Sequence, residues 1–391
     1  MLYFYGNIAR CDRHNGTMYV KEEKIMKKVL AILLALAMIL SFAACGEKKQ
    51  EEPKKEEQKA ETYEIAFITD IGQLMDGSFN QGTWEGVEGY AKANGKTYKY
   101  YQPANGSAAT DDDRYAAMKA AVDNGAKIVV CAGFLQDAAL ERIAAEAKDV
   151  AFVFIDGWAT GAPNIAGIAF KEEQCGYLAG YAVVKEGFTK LGFSGGGGGD
   201  NAACCRYGYG FAQGANAAAK ELGKTVDLNY TWQYGATFSP STELYTLMSG
   251  WYSKGTEIVF ACGGTISDSI FQAAGENSAK GVGVDVDQST QYPGIVITSA
   301  MKGISAATEW ALDKFYQGKF SEIANTAISL GAAEGSVGLP TATWQLTKWS
   351  VSEYEALLKD IVDGKVAIDN TQYASEAIKG VQFSNLNLHY E

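Results

Sequence analysis

Carboxylates, amides and phenyl rings recur in this chain at one kind of place, just after short apolar runs. Asp70, Asp76, Phe79 and Asn80 follow residues 64–69; Gly133 and Phe134 follow residues 127–132; Asp156 follows residues 150–155. Farther on come Phe238, Gly263-Gly264-Thr265, Asp285, Asp287 and Gln288, then Ser299 and Lys302. The set forms no recognisable catalytic apparatus, and its chemistry suits a neutral ligand with hydroxyls and a flat ring. Carboxylates accept hydrogen bonds from a sugar diol, an amide reads ring edges, and phenyl faces sandwich the ring. Several carboxylates against the single cation Lys302 repel a phosphate, so a nucleoside is admitted and a nucleotide disfavoured.

Each residue also has a plain structural role open to it. Asp70 and Asp76 suit the capping of a following helix. Phe79 suits a hydrophobic staple, Phe238 a core, and Lys302 a solvated surface. Asp156, at the end of an apolar run and followed by Gly157-Trp158, has fewer such alternatives.

The elements that position these groups are legible as a rhythm. Residues 64–69 are an apolar run of strand length. Ser78 and Gln81 have capping-box spacing, and Trp84, Val87, Tyr90 and Ala91 then recur on one helical face. The polar cluster is therefore expected at the carboxyl end of a first strand, beside a helix start, where open α/β sheets hold ligands. Further strands are expected at 98–102, 127–132 and 150–155, with helices at 111–124 and 135–147. The pattern restarts with strands at 191–194, 226–234, 257–262 and 282–284, and helices near 206–221, 240–254 and 267–276. Ser239 is read there as a cap, with Pro240 as the first helical residue. Two sets of strand–helix units, each of domain size, predict two similar lobes with parallel sheets. The late strand 295–298 and the amphipathic segment 304–317 are assigned back to the first lobe, and the helix near 352–363 to the second.

The formal charge of −12 argues against nucleic acid as a partner. Met26-Lys27-Lys28, the apolar run 29–40 and the small residues before Cys45 are the parts of a secretory signal. Its end resembles a bacterial lipobox, with Phe42 in place of the usual Leu and Cys45 as the lipidated residue. Residues 1–25 precede a better start at Met26 and read as an upstream extension that is not native. Residues 46–61 mix both charges without an apolar period, which makes them a solvated tether.

Two other patterns bear on enzymatic chemistry. Residues 192–196 match a nucleophile elbow at Ser194, with Asp285 and His389 in hydrolase order. A glycine run generates that pattern cheaply, and an elbow requires a helix directly after its serine. His389, one of two histidines in the chain, leaves little metal or general-base chemistry available. Cys131, Cys175, Cys204, Cys205 and Cys262 have no zinc spacing, and the adjacent pair 204–205 is poorly placed for a mutual disulfide.

Residues 76–81 (Asp-Gly-Ser-Phe-Asn-Gln), 154–156 (Phe-Ile-Asp), 281–288 (Gly-Val-Gly-Val-Asp-Val-Asp-Gln) and 299–302 (Ser-Ala-Met-Lys) together resemble the motifs of the basic membrane protein family. Its members are lipoproteins that serve as substrate-binding subunits of ABC importers, many of them binding purine nucleosides. The resemblance runs from about residue 63 to 320. It implies a type I periplasmic-binding-protein fold, with two Rossmann-like lobes, three crossovers and ligand in the cleft. It implies further that Phe79 and Phe238 stack on a base, that Asn80 reads it, and that Asp285 and Lys302 hold ribose hydroxyls. Asp156 would contact the base or sugar edge, Gly264 would let backbone approach the ligand, and Asp70 and Asp76 complete the site. No catalytic residue, cofactor or metal is implied. The partners are a nucleoside-like molecule, an ABC permease and, through Cys45, the outer face of the cell membrane.

Two stretches depart from the pattern. Residues 195–206 are richer in glycine and cysteine, and residues 236–240 replace a Phe followed by a polar or acidic residue. A flavin or sugar as ligand, or a sensor as the receiving partner, therefore stays open. The resulting division is 1–25 extension, 26–44 signal, 45–62 tether, 63–168 plus 295–320 first lobe, and 169–294 plus 321–391 second lobe.

Overall fold

The computed structural model describes residues 62–71 and 73–391, so the signal, Cys45 and the tether lie outside the described residues. Alternation with a period of two builds the first sheet. In Ile65–Ile68 (β1), Ile65 and Phe67 face one layer of helices while Ala66 and Ile68 face the other. Tyr98–Tyr101 (β2), Ile128–Ala132 (β3), Ala151–Ile155 (β4), Ile165–Phe170 (β5) and Ala327–Leu330 (β11) complete it, every pairing parallel, in the order β2-β1-β3-β4-β5-β11. Phe79–Ala93 (α1) and Ile304–Tyr316 (α8) cover one face, and Asp111–Asp123 (α2) and Asp137–Glu146 (α3) the other. With both faces covered, β1, β3 and β4 are buried along their whole length.

The second sheet contains Lys190–Gly195 (β6), Val226–Thr231 (β7), Ile258–Cys262 (β8), Lys280–Asp285 (β9), Val296–Lys302 (β10), Val337–Gly338 (β12) and Leu386–Tyr390 (β13). Its order is β13-β7-β6-β8-β9-β10-β12, and only β12 runs antiparallel to its neighbour. Glu172–Glu186 (α4) and Ala202–Glu221 (α5) cover one face, Thr242–Ser253 (α6) and Ile266–Glu276 (α7) the other, and Val351–Val362 (α9) flanks α4. Both sheets share the core order 2-1-3-4-5. The strand order reverses between β1 and β3 in one lobe and between β6 and β8 in the other, and ligands bind at the carboxyl ends of such switch points.

Helices α4 and α5 pack with their backbones nearly touching. A Cβ on Gly176 or Gly180 would lie 2.3 Å from Tyr207 O or 2.0 Å from Phe211 O, and one on Gly210 or Gly214 would lie 2.3 Å from Glu173 O or 1.9 Å from Tyr177 O. Glycines four apart on both helices are what this approach requires, and it sets Glu172 and Glu173 beside Arg206.

The chain passes between lobes at Lys171, Gly303 and Gly331. Lys171 N–H donates to Leu330 O at 2.9 Å and Gly303 N–H to Ser336 O at 2.7 Å, which stitches the three crossings together. Two assignments made from the sequence are corrected here. The late strand is β10 and belongs to the second sheet, where it pairs with β9 so that Met301 stands opposite Asp285. Residues 327–330, assigned to the second lobe, form β11 at the edge of the first sheet. An apolar run reports burial, not the sheet in which it is buried. Helix α8 packs on α1 in the first lobe. Among the described residues, no helix is long and apolar enough to cross a membrane.

Candidate ligand-binding site

The cleft between the lobes encloses a cavity of about 470 Å³, within the range of small-molecule sites. Asp70, Asp76, Phe79, Asn80 and Asp156 line it from the first lobe, and Phe238, Gly264, Asp285 and Lys302 from the second. Asp287, Gln288 and Ser299, singled out with them in the sequence, do not line it. Gln288 instead bridges the lobes, its Nε2 donating to Gly77 O at 3.0 Å.

The handover from β1 to α1 is organised by Asp76, not by the expected Ser78–Gln81 box. Asp76 Oδ1 accepts from the N–H groups of Ser78 and Gln81, and its Oδ2 from the N–H and the Nδ2 of Asn80. Both oxygens are thereby committed to the open helix start. Asn80 Oδ1 accepts from Asp70 N–H at 2.7 Å, so Asn80 ties the strand end to the helix and keeps one N–H free. Ser78 is released from capping. Its hydroxyl crosses the cleft and donates to Asp285 Oδ2 at 2.6 Å, so the two lobes are closed on each other.

Asp70 rests against Gly133, where a Cβ would lie 2.1 Å from Asp70 Oδ2. Its Oδ1 is buried and has no hydrogen-bond partner among the described residues. Burial pushes its carboxyl up to about 7, against the N–H of Ile71 and the charge of Arg114.

Two cations line the site, Lys302 and Arg206, and Lys302 is the more deeply buried of them. Its Nζ lies 2.6 Å from Asp156 Oδ2, 3.4 Å from Glu172 Oε1 and 3.7 Å from Asp285 Oδ1, and 5.0 Å from the Phe79 ring centroid. Burial pulls its pKa down, but the three carboxylates outweigh burial and leave it above the ordinary lysine value. Glu172 also takes Arg206 Nε at 2.7 Å, and Tyr207 Oη donates to Asp285 Oδ1 at 3.3 Å. Asp156 Oδ1 is buried without a partner among the described residues, and burial pushes this carboxyl up to about 6 even with Lys302 beside it. Asp156, Asp285 and Phe238 have φ of +57°, +66° and +56°, a region that non-glycine residues seldom occupy.

Gly196 and Gly197 of the glycine run, with Gly263 and Gly264, form the seat of Phe238. A Cβ on Gly196 would lie 2.3 Å from the Phe238 ring, on Gly263 2.9 Å, and on Gly264 3.0 Å from Phe238 O. Gly264 therefore makes room for Phe238 while it also lines the cavity. The helix after this segment is capped by Asn201 and begins at Ala202, and α6 is capped by Ser241 instead of Ser239.

The serine-hydrolase arrangement does not assemble. Ser194 lies inside β6, fully buried and off the cavity, while His389 pairs with Asp227 on an exposed strand edge. All five described cysteines are free and buried, and Cys204 and Cys262 line the cavity.

Glu172, Glu173, Arg206, Tyr207 and Gln372 were not found from the sequence. The first two start α4, which is buried on nearly every side, so no single apolar stripe marks it as a helix.

A family model described as Bmp, ABC transporter substrate-binding protein PnrA-like, matches residues 64–376. The chain belongs to this Bmp family. It is thus an ABC transporter substrate-binding protein, a class that works with a small-molecule ligand and a membrane permease. Among relatives, the "ABC transporter nucleoside-binding protein BmpA" of Lactococcus lactis is 28% identical over 370 residues, covering 88% of this chain and 99% of its own. "Basic membrane protein B" of Borreliella burgdorferi is 28% identical over 247 residues, 61% of this chain and 70% of its own. A solute-binding protein of an ABC transporter system from Aeropyrum pernix superposes with a TM-score of 0.67 at 20% identity, covering 79% of this chain and 93% of that one. With its two 2-1-3-4-5 sheets and three crossings, the Bmp-family chain has the type I periplasmic-binding fold.

Proposed function

We propose that this Bmp-family protein is an extracytoplasmic lipoprotein, anchored through Cys45, that captures a purine-nucleoside-like solute between its lobes and delivers it to an ABC permease without breaking a bond in it. The observation that carries the ligand class is the pair of buried oxygens without a partner among the described residues, Asp70 Oδ1 and Asp156 Oδ1, on residues lining a cavity that also holds Phe79 and Phe238. Two acceptors and two phenyl rings call for a ring-bearing ligand rich in N–H and O–H donors. The name of the Lactococcus lactis relative points the same way.

In this reading Phe79 and Phe238 stack on the base, each contact adding about 0.5–1.5 kcal/mol beyond area burial. Asp70 and the free N–H of Asn80 take the base edge, Asp285 and Lys302 take the ribose hydroxyls, and Asp156 takes whichever edge lies between them. Lys302 is surrounded by Asp156, Glu172 and Asp285, and Arg206 by Glu172 and Glu173, so both cations that line the cavity are already paired against a phosphate.

Titration calorimetry on the chain lacking residues 1–45 tests this with nucleosides, nucleotides, flavins and sugars. Nucleosides should bind and nucleotides should not. Asp285→Ala should remove the part of the affinity that depends on the ribose; unchanged inosine and guanosine binding in that variant would end the ribose assignment. For the anchor, Cys45→Ser in the full chain should move the protein out of the membrane fraction.

A further inference from the structure

One wall of the cavity comes from neither sheet's strand ends nor their first turns. After α9 the chain returns across the second lobe through residues 369–376 before entering β13 at the sheet edge, and Gln372 in this strap lines the cavity. The strap is gripped on both sides of Gln372. On one side Gln213 donates its Nε2 to Asp369 O at 2.8 Å and accepts from Asp369 N–H at 2.9 Å, while Tyr209 Oη donates to Asp369 Oδ2 at 3.2 Å. On the other side Trp232 Nε1 donates to Ser375 O at 3.1 Å and Ser375 Oγ to Asp200 Oδ1 at 3.3 Å. Ser375, at φ +48°, presses so close that a Cβ on Gly199 would lie 2.8 Å from its Cα. Tyr373 packs edge-on against Tyr209 with centroids 4.7 Å apart. Among the described residues the Gln372 carboxamide makes no hydrogen bond, although the backbone on either side of it is fixed.

Sheet order says which part of a ligand Gln372 faces. The strap contacts Gly199 after β6 and Trp232 after β7, on the side of the cleft where Phe238 is seated. Asp285 and Lys302 end β9 and β10, with β8 between β9 and β6. At about 4.8 Å per strand, β6 and β9 are roughly 10 Å apart, about the length over which a sugar gives way to its attached ring. We infer that Gln372 is a specificity residue that hydrogen-bonds the outer edge of the ligand's ring, with both a donor and an acceptor to offer; this rests on the proposed placement of sugar at Asp285 and Lys302.

The test compares wild type and Gln372→Ala by calorimetry on inosine, guanosine, adenosine and their 2′-deoxy forms, with thermal unfolding as the fold control. Loss of a ligand hydrogen bond is expected to weaken binding about 3- to 10-fold. The loss should differ between bases, be equal for ribo and deoxy forms, and leave the unfolding temperature unchanged because the side chain is exposed. Affinities equal to wild type for every nucleoside overturn the inference, as does a loss that tracks the sugar. If wild type binds no nucleoside, the proposed function fails first. The same comparison on whichever flavin or sugar it does bind then decides Gln372, and a chain that binds none of these classes overturns both.

Discussion

Acidification should weaken ligand binding far more than it weakens the fold. The partnerless acceptors of the cavity belong to Asp70 and Asp156, whose carboxyls burial pushes up to about 7 and about 6. Arg114 faces Asp70, with Asp156 and Asp76 opposing it; Lys302 faces Asp156, with Glu172 and Asp285 opposing it. At pH 5 Asp70 is ionised in about one chain in a hundred and Asp156 in about one in ten, whereas at pH 8 both are about nine-tenths ionised or more. If ligand donors need both in the ionised form, the affinity falls about 1000-fold from pH 8 to pH 5, and about 100-fold if Asp70 alone is needed. The sign follows from which form binds: the ligand selects the deprotonated carboxylates, so binding releases protons, about one near pH 6.5 and approaching two below pH 6. The free fold runs the other way. A carboxyl raised above its unfolded value contributes stability that is complete below about pH 4 and lost as the pH rises through 6 and 7, so ligand stabilises most at alkaline pH. Calorimetry from pH 5 to 8 in two buffers of different ionisation enthalpy counts the protons, and Asp70→Asn should remove one of them. A Kd constant across this range without proton release, or tighter binding in acid, would refute the reasoning.

Two further substitutions probe what closes and supports the cleft. Ser78→Ala deletes the 2.6 Å hydrogen bond from Ser78 to the Asp285 carboxylate across the lobes; a hydrogen bond to a charged group is worth about 1.5–3 kcal/mol, so every ligand should bind at least about tenfold more weakly, with a larger radius of gyration in X-ray scattering, and an unchanged Kd would mean that this bond does not hold closure. Gly180→Ala sets a Cβ 2.0 Å from Phe211 O and should cost about 1–3 kcal/mol or more through overpacking, read as a lowered denaturation midpoint; an unaltered midpoint would contradict the close approach of α4 and α5.

Much of the site was legible because a strand that ends in a polar loop before a helix advertises itself locally. Asp70, Phe79, Asp156 and Asp285 stand where an apolar run stops, and the cavity collects them. That Asp76 suits capping was legible; that it outcompetes Ser78 for the N–H groups of α1, spending both oxygens there and freeing Ser78 for the other lobe, depends on the three-dimensional arrangement. Strand β5 escaped notice because Gly167 and the alanines beside it dilute its apolar run, and helix α4 because it is buried on most sides and shows no amphipathic alternation. With α4 went Glu172, the residue that joins Lys302 to Arg206. The glycine run read as a departure from the family pattern, yet its reason lies in Phe238, Trp232 and Ser375, which are distant in sequence and fill the space that side chains there would occupy. The edge strand β11 pairs along one side only, and nothing in four residues states which sheet it joins.

The cavity carries several local costs that the surrounding fold sustains. Asp156, Phe238 and Asp285 hold left-handed backbone, at about 1–3 kcal/mol each. Asp70 Oδ1 and Asp156 Oδ1 stay buried without partners among the described residues. Asp70, Asp156 and Asp285 sit at or just beyond the ends of strands, beside strands that are buried along almost all of their length. Turning the backbone left-handed at the last residue of β9, and just beyond β4, aims Asp285 and Asp156 into the cleft instead of along the strand. A ligand that donates to those oxygens removes a cost already present in the unliganded chain, in addition to forming its own contacts. Affinity here therefore depends on the rigidity of the two sheets as much as on the side chains that touch the ligand. By that logic a substitution that lets the site relax, with no contact to ligand, lowers affinity while it raises stability.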